Sequence, residues 1–226
     1  SEKNADGYKS FWKEYGAVLK EGLYEDAERK ETLLDLCRFS TNENDDPISL
    51  SGYVEKMPEK QKDIYYISAE TKDQALASPH LEGFKSKKIP VLIMTDAIDQ
   101  FWLPMVGSFK EKKFTSITQG QINLDDLDEK NKDKKKDDKN EKEKKDKEYV
   151  DLVAQLKVVL GDQVKDIRLS SKLTDSPVCL VADEGDMDIA MEQLMAQRDT
   201  NYKGAPRILE INGDHSLIKN MKSLLS

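Results

Sequence analysis

The sequence predicts a protein of mixed fold class, α/β plus α+β. Three observations predict it. Short β-branched and aromatic runs alternate with helical stretches between residues 61 and 120. Residues 128–148 contain no apolar side chain. From residue 149 onward, apolar residues return with the spacing of helices and then of strands. We therefore expect two folded parts on either side of a charged segment.

The first 60 residues are predicted to form a helical segment. Apolar residues at a spacing of three to four predict a helix over residues 5–21, which Gly22 would end. A second helix is predicted over residues 25–38 and a polar loop from Asn42 to Pro47. Ser49 is placed to cap a third, short helix.

Residues 61–120 are predicted to form a small three-layer α/β subdomain. The apolar runs 64–67 and 90–94 predict buried strands that lie parallel to each other. The further predicted elements are helices over 71–77, 79–85 and 96–105 and a last strand over 114–118.

The stretch 121–148 is predicted to be a charged linker. Its part from residue 128 to 148 holds ten lysines and nine acidic residues, so it has nothing to bury in a core. Two interpretations stay open for 128–140: a disordered linker, or a solvated helix held by Lys–acid pairs at i,i+4. After residue 141 the pattern favours helix.

The remaining residues, 149–226, are predicted to form a small α+β domain. A helix is expected from Tyr149 to Gly161. Asp214 is expected to be the N-cap of the last helix. Between them the predicted elements are strands over 164–169, 177–181 and 207–211 and a helix over 186–196.

Composition excludes several classes of function. The net charge of −8 disfavours a nucleic-acid partner, because binding to phosphates requires a basic surface. No apolar run approaches the ~20 residues of a membrane span, and residues 1–20 do not have the pattern of a signal peptide. Cys37 and Cys179 fit no metal spacing, so we expect two reduced, buried thiols.

No catalytic motif is recognisable. The chain has no glycine-rich phosphate loop, and neither His80 nor His215 has partners at metal-binding spacing. Asp96 and Asp99 stand at helix-start spacing, so capping explains them better than acid–base catalysis. We expect no catalytic residue, no metal site and no cofactor site.

An enzyme nevertheless stays open as an alternative. Ligands of α/β sheets bind at the carboxyl ends of the strands. For strands 64–67 and 91–94 those ends carry polar residues, namely Ser68, Glu70, Thr95 and Asp96.

Several sequence blocks, spread in order over nearly the whole chain except its lysine-rich middle, resemble the heat-shock protein 90 family of molecular chaperones in its bacterial, HtpG-like form. The blocks are Phe11-Trp-Lys-Glu-Tyr15, Leu19-Lys-Glu-Gly22, Leu36-Cys-Arg-Phe39, Ile48-Ser-Leu-Ser-Gly-Tyr53, Asp63-Ile-Tyr-Tyr-Ile-Ser-Ala-Glu70, Ser78-Pro-His-Leu-Glu82, Thr95-Asp-Ala-Ile-Asp99, Arg168-Leu-Ser-Ser-Lys-Leu-Thr-Asp-Ser-Pro177 and Glu210-Ile-Asn-Gly-Asp-His215.

The resemblance implies a part of a larger chaperone. The chain matches the distal middle domain and the proximal carboxy-terminal domain of that family. The nucleotide-binding domain and the arginine loop of the middle domain would lie upstream of Ser1, and the helices of the dimer bundle would follow Ser226. The full-length family member would be an ATPase that uses ATP and Mg, whereas this chain is expected to be no enzyme.

The resemblance also implies partners and a location. The expected partners are partly folded client proteins and, further, co-chaperones; neither nucleic acid nor membrane is expected. The full-length protein would be a homodimer that acts in the stress response. It would be located in the cytoplasm or in an organelle of bacterial descent. This shorter chain is expected to be monomeric or weakly associating.

The first candidate client-binding surface lies on the predicted helix 96–105. Phe101 and Met105 share a helix face with Ile98, whereas Trp102 points elsewhere, so one sheet cannot bury all of them. In the family an exposed aromatic residue of this helix contacts clients. By register this residue is Phe101, and Trp102 could take its role instead. A plain core helix is the alternative.

The second candidate surface is the methionine-rich stretch 187–195. Its apolar residues recur with helical spacing, and methionine suits surfaces that bind varied partners. The residues are Met187, Met191, Leu194 and Met195. In the family this stretch matches an amphipathic helix that projects into the dimer cleft. The alternatives are an ordinary core helix or a structural spacer that transmits ATPase-driven motion, which would bury Phe101 and Met187.

Overall fold

The computed structural model describes residues 5–26, 28–44, 46–127, 144–199 and 201–225. The chain divides into two compact units. Unit 1 comprises Ser1–Ala77 and Lys88–Ser116, and unit 2 comprises Ser78–Lys87 and Ile117–Ser226. Both units contain helices and a sheet, so the predicted mixed fold class is confirmed. The question of order in 128–143 lies outside the described residues, while residues 144–148 are helical.

Helices and strands are interspersed along the part of the chain that the structure describes. The helices are α1 Ala5–Glu25, α2 Lys30–Leu36, α3 Leu50–Lys56, α4 Lys72–Leu76, α5 Glu82–Ser86, α6 Asp99–Val106, α7 Val150–Leu160, α8 Ile189–Arg198 and α9 Ser216–Ser223. The strands are β1 Arg38–Thr41, β2 Ile48–Ser49, β3 Ile64–Ser68, β4 Leu92–Met94, β5 Ser108–Phe109, β6 Lys112–Ser116, β7 Val164–Leu169, β8 Val178–Val181 and β9 Arg207–Ile211.

Unit 1 is built on a mixed sheet with strand order β2-β1-β4-β3-β6-β5. Strands β3 and β4 are parallel, as predicted, and Ser68 pairs with Met94 at their carboxyl ends. Strand β6 is also parallel to β3, whereas β1 is antiparallel to β4. Because all three residues of β4 are buried, its sequence is an uninterrupted apolar run.

Two local predictions for unit 1 were wrong. Gly22 does not end α1, which continues to Glu25. A Cβ at Gly22 would lie 3.0 Å from Cδ1 of Leu33, so this glycine permits close approach of the following helix. That helix, α2, already ends at Leu36, and residues from Arg38 onward form the strand β1 instead.

A buried ionic network joins α1 to α6 within unit 1. The ammonium of Lys20 donates to Asp96 at 2.8 Å and to Asp99 at 3.0 Å. Asp99 is fully buried and also accepts hydrogen bonds from Nε1 of Trp102 at 2.7 Å and from the backbone N–H of Asp96 at 3.1 Å. Burial alone would lower the pKa of Lys20, but the carboxylates of Asp99 and Asp96 hold it above its ordinary value. The two acids are thus structural, but the prediction that they cap the helix was wrong, because α6 follows Ile98 without a side-chain cap.

Unit 2 contains a three-stranded sheet with order β7-β9-β8. Strand β7 is parallel to β9, and β8 is antiparallel to it. The core combines α7, α9 and the sheet; its buried members are Tyr149, Leu152, Ile167, Ile211 and Ile218. The predicted strands and the helix that ends at Gly161 are confirmed.

Two helix starts in unit 2 differ from the predictions. The last helix is capped by His215, whose Nδ1 accepts the N–H of Leu217 at 3.1 Å, while the predicted cap Asp214 pairs with Lys145. Helix α8 begins only at Ile189, because Asp188 accepts the N–H of Ala190 and caps it there.

One carboxylate accepts hydrogen bonds from four donors of the loop 170–177 in unit 2. Glu82 of α5 accepts the backbone N–H groups of Thr174, Asp175 and Ser176 and the hydroxyl of Ser176. Burial alone would raise the pKa of Glu82, but these hydrogen bonds, that of the Ser176 hydroxyl foremost, lower it. The side chain of Asn212 binds the same loop from β9, donating to the carbonyls of Thr174 and Ser176.

A second buried carboxylate lies beneath this loop. Glu210 accepts hydrogen bonds from Arg168, with Nε at 3.0 Å, and from the hydroxyl of Ser170 at 2.8 Å. Arg168 therefore has a structural role through its hydrogen bonds to Glu210. The side chain of Asp175 is exposed, and Glu82 binds only the backbone N–H of this residue.

We predict that Lys20→Met lowers the free energy of unfolding by about 3–5 kcal/mol, because it leaves the Asp99 carboxylate buried without its cation. Combining it with Asp99→Asn should recover part of this loss. Urea denaturation measures both, with the exposed Lys13→Met on the same helix as the control. A loss below about 1 kcal/mol for Lys20→Met would contradict the assigned network.

Gly83→Ala should lower the stability of unit 2 by about 1–3 kcal/mol. The added Cβ would lie 2.6 Å from the backbone oxygen of Lys172 and 2.7 Å from Cδ1 of Leu124. Gly185→Ala is the matched control, because no atom lies within 4 Å of its added Cβ. Since alanine ordinarily stabilises a helix relative to glycine, a more stable Gly83→Ala protein in thermal unfolding would rule out this packing.

Candidate functional site

Helix α6 directs its apolar residues to two opposite sides. Trp102 and Leu103 are buried in the core of unit 1, whereas Met105 exposes 59% of its surface. Phe101 is half-buried and Pro104 is exposed, on the side away from the core. The predicted division of this helix is therefore present, and its outer face carries Phe101 and Met105.

Trp102 is not available to a partner. Its ring is fully buried against the rings of Phe39 and Phe114, at 6.1 and 5.5 Å between centroids. Its Nε1–H is bound to the carboxylate of Asp99. Of the two aromatic residues considered for the outer face of α6, only Phe101 lies there.

The stretch 187–195 forms a surface of a different kind. Helix α8 buries none of its side chains. Met195 is 37% exposed, and Met191 and Leu194 are half-buried. Met187 is 39% exposed. It lies before the helix, since Asp188 is the N-cap and the helix begins at Ile189.

Polar contacts, and not a buried apolar stripe, hold α8 in unit 2. Asp188 accepts the hydroxyl of Thr118 at 2.9 Å in addition to its capping bond. Glu192 forms an ion pair with Arg207 of β9, and Arg207 donates to the carbonyl of Met187 at 2.9 Å. Because these contacts fix the helix, its methionines are free to remain at the surface.

Several of the groups considered for catalysis are either held in an ion pair or buried. Asp96, at the carboxyl end of β4, is bound by Lys20. Burial raises the pKa of the Cys37 and Cys179 thiols to about 12 and lowers the pKa of His80 to about 4. The cysteines are free and buried, as expected. Such thiols are poor nucleophiles.

Within the residues that the structure describes, no group of three or more His, Cys, Asp or Glu side chains is arranged to hold a metal ion. Over the same ranges, no helix has both the length and the apolar character that crossing a membrane requires.

Sequence reasoning missed three residues that shape these surfaces: Lys20, Tyr24 and Arg207. The ring of Tyr24 lies edge-on to Phe101, with 6.3 Å between centroids. Lys20 and Arg207 are buried basic residues whose acidic partners are distant in sequence. The only sequence signal was that Lys20 lies on the apolar side of α1. A lysine buried there requires an acidic partner, because a buried cation needs a counter-charge.

Comparison with known proteins gives one consistent result. The sequence model of the Hsp90 protein family matches residues 1–226. The chain is 42% identical over 221 residues to the chaperone protein HtpG of Roseobacter denitrificans, covering 98% of this chain and 35% of that protein. The chain is 41% identical over 217 residues to HtpG of Streptomyces coelicolor, which covers 96% of this chain and 33% of that protein.

HtpG of Wolbachia pipientis wMel is 40% identical over 234 residues, which cover 99% of this chain and 35% of that protein. The chain thus spans about a third of the length of these curated relatives. The family model matches the whole of this chain, and the identity to these relatives is about 40%. Together they establish the family relationship that the sequence blocks indicated. The chain belongs to the Hsp90 protein family.

Proposed function

We propose that this chain is a client-binding part of an Hsp90 chaperone and captures apolar segments of partly folded proteins. The observation that carries the proposal is α8, a helix with Met191, Leu194 and Met195 on its surface and no buried side chain. A helix of a soluble domain normally buries an apolar stripe in its own core. Here polar contacts replace that stripe, which leaves the apolar side chains for a partner.

The outer face of α6 supplies the second surface, through Phe101 and Met105. Single exposed apolar residues are common. Here, however, the exposed Met105 offers a client a flexible contact and the half-buried Phe101 offers it a rigid one. We expect each surface to bind weakly. Engagement of both by one client would add avidity.

The acidic residues around the α8 surface favour basic clients. Asp186 and Glu184 precede α8, and Glu184 is exposed. Asp186 is partly neutralised by Lys165, with 3.0 Å between the charged atoms. The contribution of such exposed charges is modest and should fall with salt.

We further propose that this chain itself neither binds nor hydrolyses ATP. The sequence has no glycine-rich phosphate loop, Asp96 is held by Lys20, and both cysteines are buried, which supports this proposal. ATP hydrolysis with Mg, homodimer formation and association with co-chaperones are proposed for the whole protein, in the cytoplasm or an organelle of bacterial descent. A pure spacer would have Phe101 and Met187 buried, and the exposure of Met187 favours a binding role.

The proposal predicts that a non-native protein binds the parent chain and that Phe101→Asp/Met187→Asp/Met191→Asp weakens this binding at least about ten-fold. Reduced, carboxymethylated lysozyme, which cannot refold, is a suitable client. Its affinity is measured by fluorescence anisotropy, and weak binding is detected by NMR line broadening. Circular dichroism establishes that the variant is folded.

The matched control is Val18→Asp/Val158→Asp/Val159→Asp. It introduces the same charge at three exposed apolar residues away from both surfaces, one in unit 1 and two in unit 2. The control should bind like the parent. Equal loss in both variants would show that charge alone weakens binding, and equal binding by all three proteins would place the surface elsewhere.

A further inference from the structure

The apolar surface on α6 continues onto α1 through Tyr24. The Tyr24 side chain is 48% exposed, and its ring meets that of Phe101 at 78°, an edge-to-face arrangement. Such a pair is favourable in its own right. Phe101 is half-buried and Met105 lies one turn further along α6.

The position of Tyr24 beside Phe101 is fixed by the buried ionic network. Lys20 lies one helical turn before Tyr24 on α1, and its ammonium binds Asp99 of α6 and Asp96 in the turn that precedes α6. Asp99 in turn holds Trp102, the neighbour of Phe101 in sequence. The two rings therefore lie on helices that the ion pair between Lys20 and Asp99 holds together. The surface is thus preformed.

The rim of this surface is acidic. Glu21 lies one turn before Tyr24 on α1, and Glu25 follows it directly; both side chains are exposed. Among the residues with described structure, neither glutamate forms an ion pair. Asp96 shares its partner Lys20 with Asp99, so the network keeps a net negative charge. A partner with a positive charge beside its apolar group would complement this arrangement.

We propose that Tyr24, Phe101 and Met105 form one binding surface for an extended, non-native segment in which an aromatic or aliphatic side chain lies next to Lys or Arg. The inference rests on the proposed function, and it adds Tyr24 as a contact residue and basic–apolar segments as the preferred ligand. The apolar side chain of the segment packs on the two rings. Its cation lies near Glu21 and Glu25 or over the Tyr24 ring, where a cation–π contact is available.

The test uses two short, unstructured, fluorescent peptides with the same phenylalanine and leucines, one with interspersed arginines and one with glutamates. The parent chain should bind the basic peptide more tightly. Tyr24→Ala should weaken that binding about three- to ten-fold, and Tyr24→Phe, which keeps the ring, should stay within about two-fold of the parent. Tyr15→Ala, an equally exposed tyrosine of α1, should not change it.

The charge contribution is tested separately. Glu21→Gln/Glu25→Gln should weaken binding of the basic peptide about three-fold at low salt, and this difference should vanish near 0.5 M salt, because exposed charges are then screened. Glu55→Gln/Glu59→Gln, with two exposed glutamates of unit 1 outside the surface, is the control and should behave like the parent.

Phe101→Asp separates this inference from the proposed function. If Phe101→Asp weakens binding and Tyr24→Ala does not, Tyr24 is no contact residue and the inference is wrong, while the proposed function stands. If neither variant weakens binding of either peptide, the α6 surface itself is wrong and the inference falls with it. Thermal unfolding midpoints show whether a variant has lost its fold.

Discussion

The fully buried carboxylate of Asp99 is the constraint on which unit 1 depends. It binds the ammonium of Lys20 from α1 and the indole N–H of Trp102, one turn further along its own helix. These two bonds fix the rotation of α6, so that Trp102 enters the core and Phe101 faces outward. Because a buried charge is tolerated only with its partners, a rotation of α6 that separated Asp99 from Lys20 would be costly. The surface on α6 thus follows from an interaction in the interior.

Unit 2 follows the same principle with other residues. The sequence blocks that indicate the family converge there on two carboxylates: Glu82 holds the loop 170–177, and Glu210 binds Arg168. Those blocks therefore contain residues that hold the unit together. With α8 held by the ion pair between Glu192 and Arg207, the methionines of this helix are not required for the core.

Much of this fold could be predicted from local patterns, because strands such as β4 are uninterrupted apolar runs and Gly161 ends its helix. The errors arose where distant residues decide. Whether Gly22 ends a helix depends on Leu33 of the next helix. Whether Phe101 or Trp102 faces outward depends on Lys20, far away in sequence, and periodicity alone cannot supply that partner. The division of α6 into two sides was predictable from helical periodicity, but which of its two aromatic residues lies on the outer side was not.

The most direct test of a client-binding role is site-specific photo-cross-linking with a non-native client. A photoreactive phenylalanine analogue is placed at Met105, at Met195 or at Val159, all of which are exposed. The account predicts cross-links to reduced, carboxymethylated lysozyme from Met105 and Met195 and only background from Val159. Equal cross-linking from all three positions, or none from Met105 and Met195, would contradict the claim that these two helix surfaces capture clients.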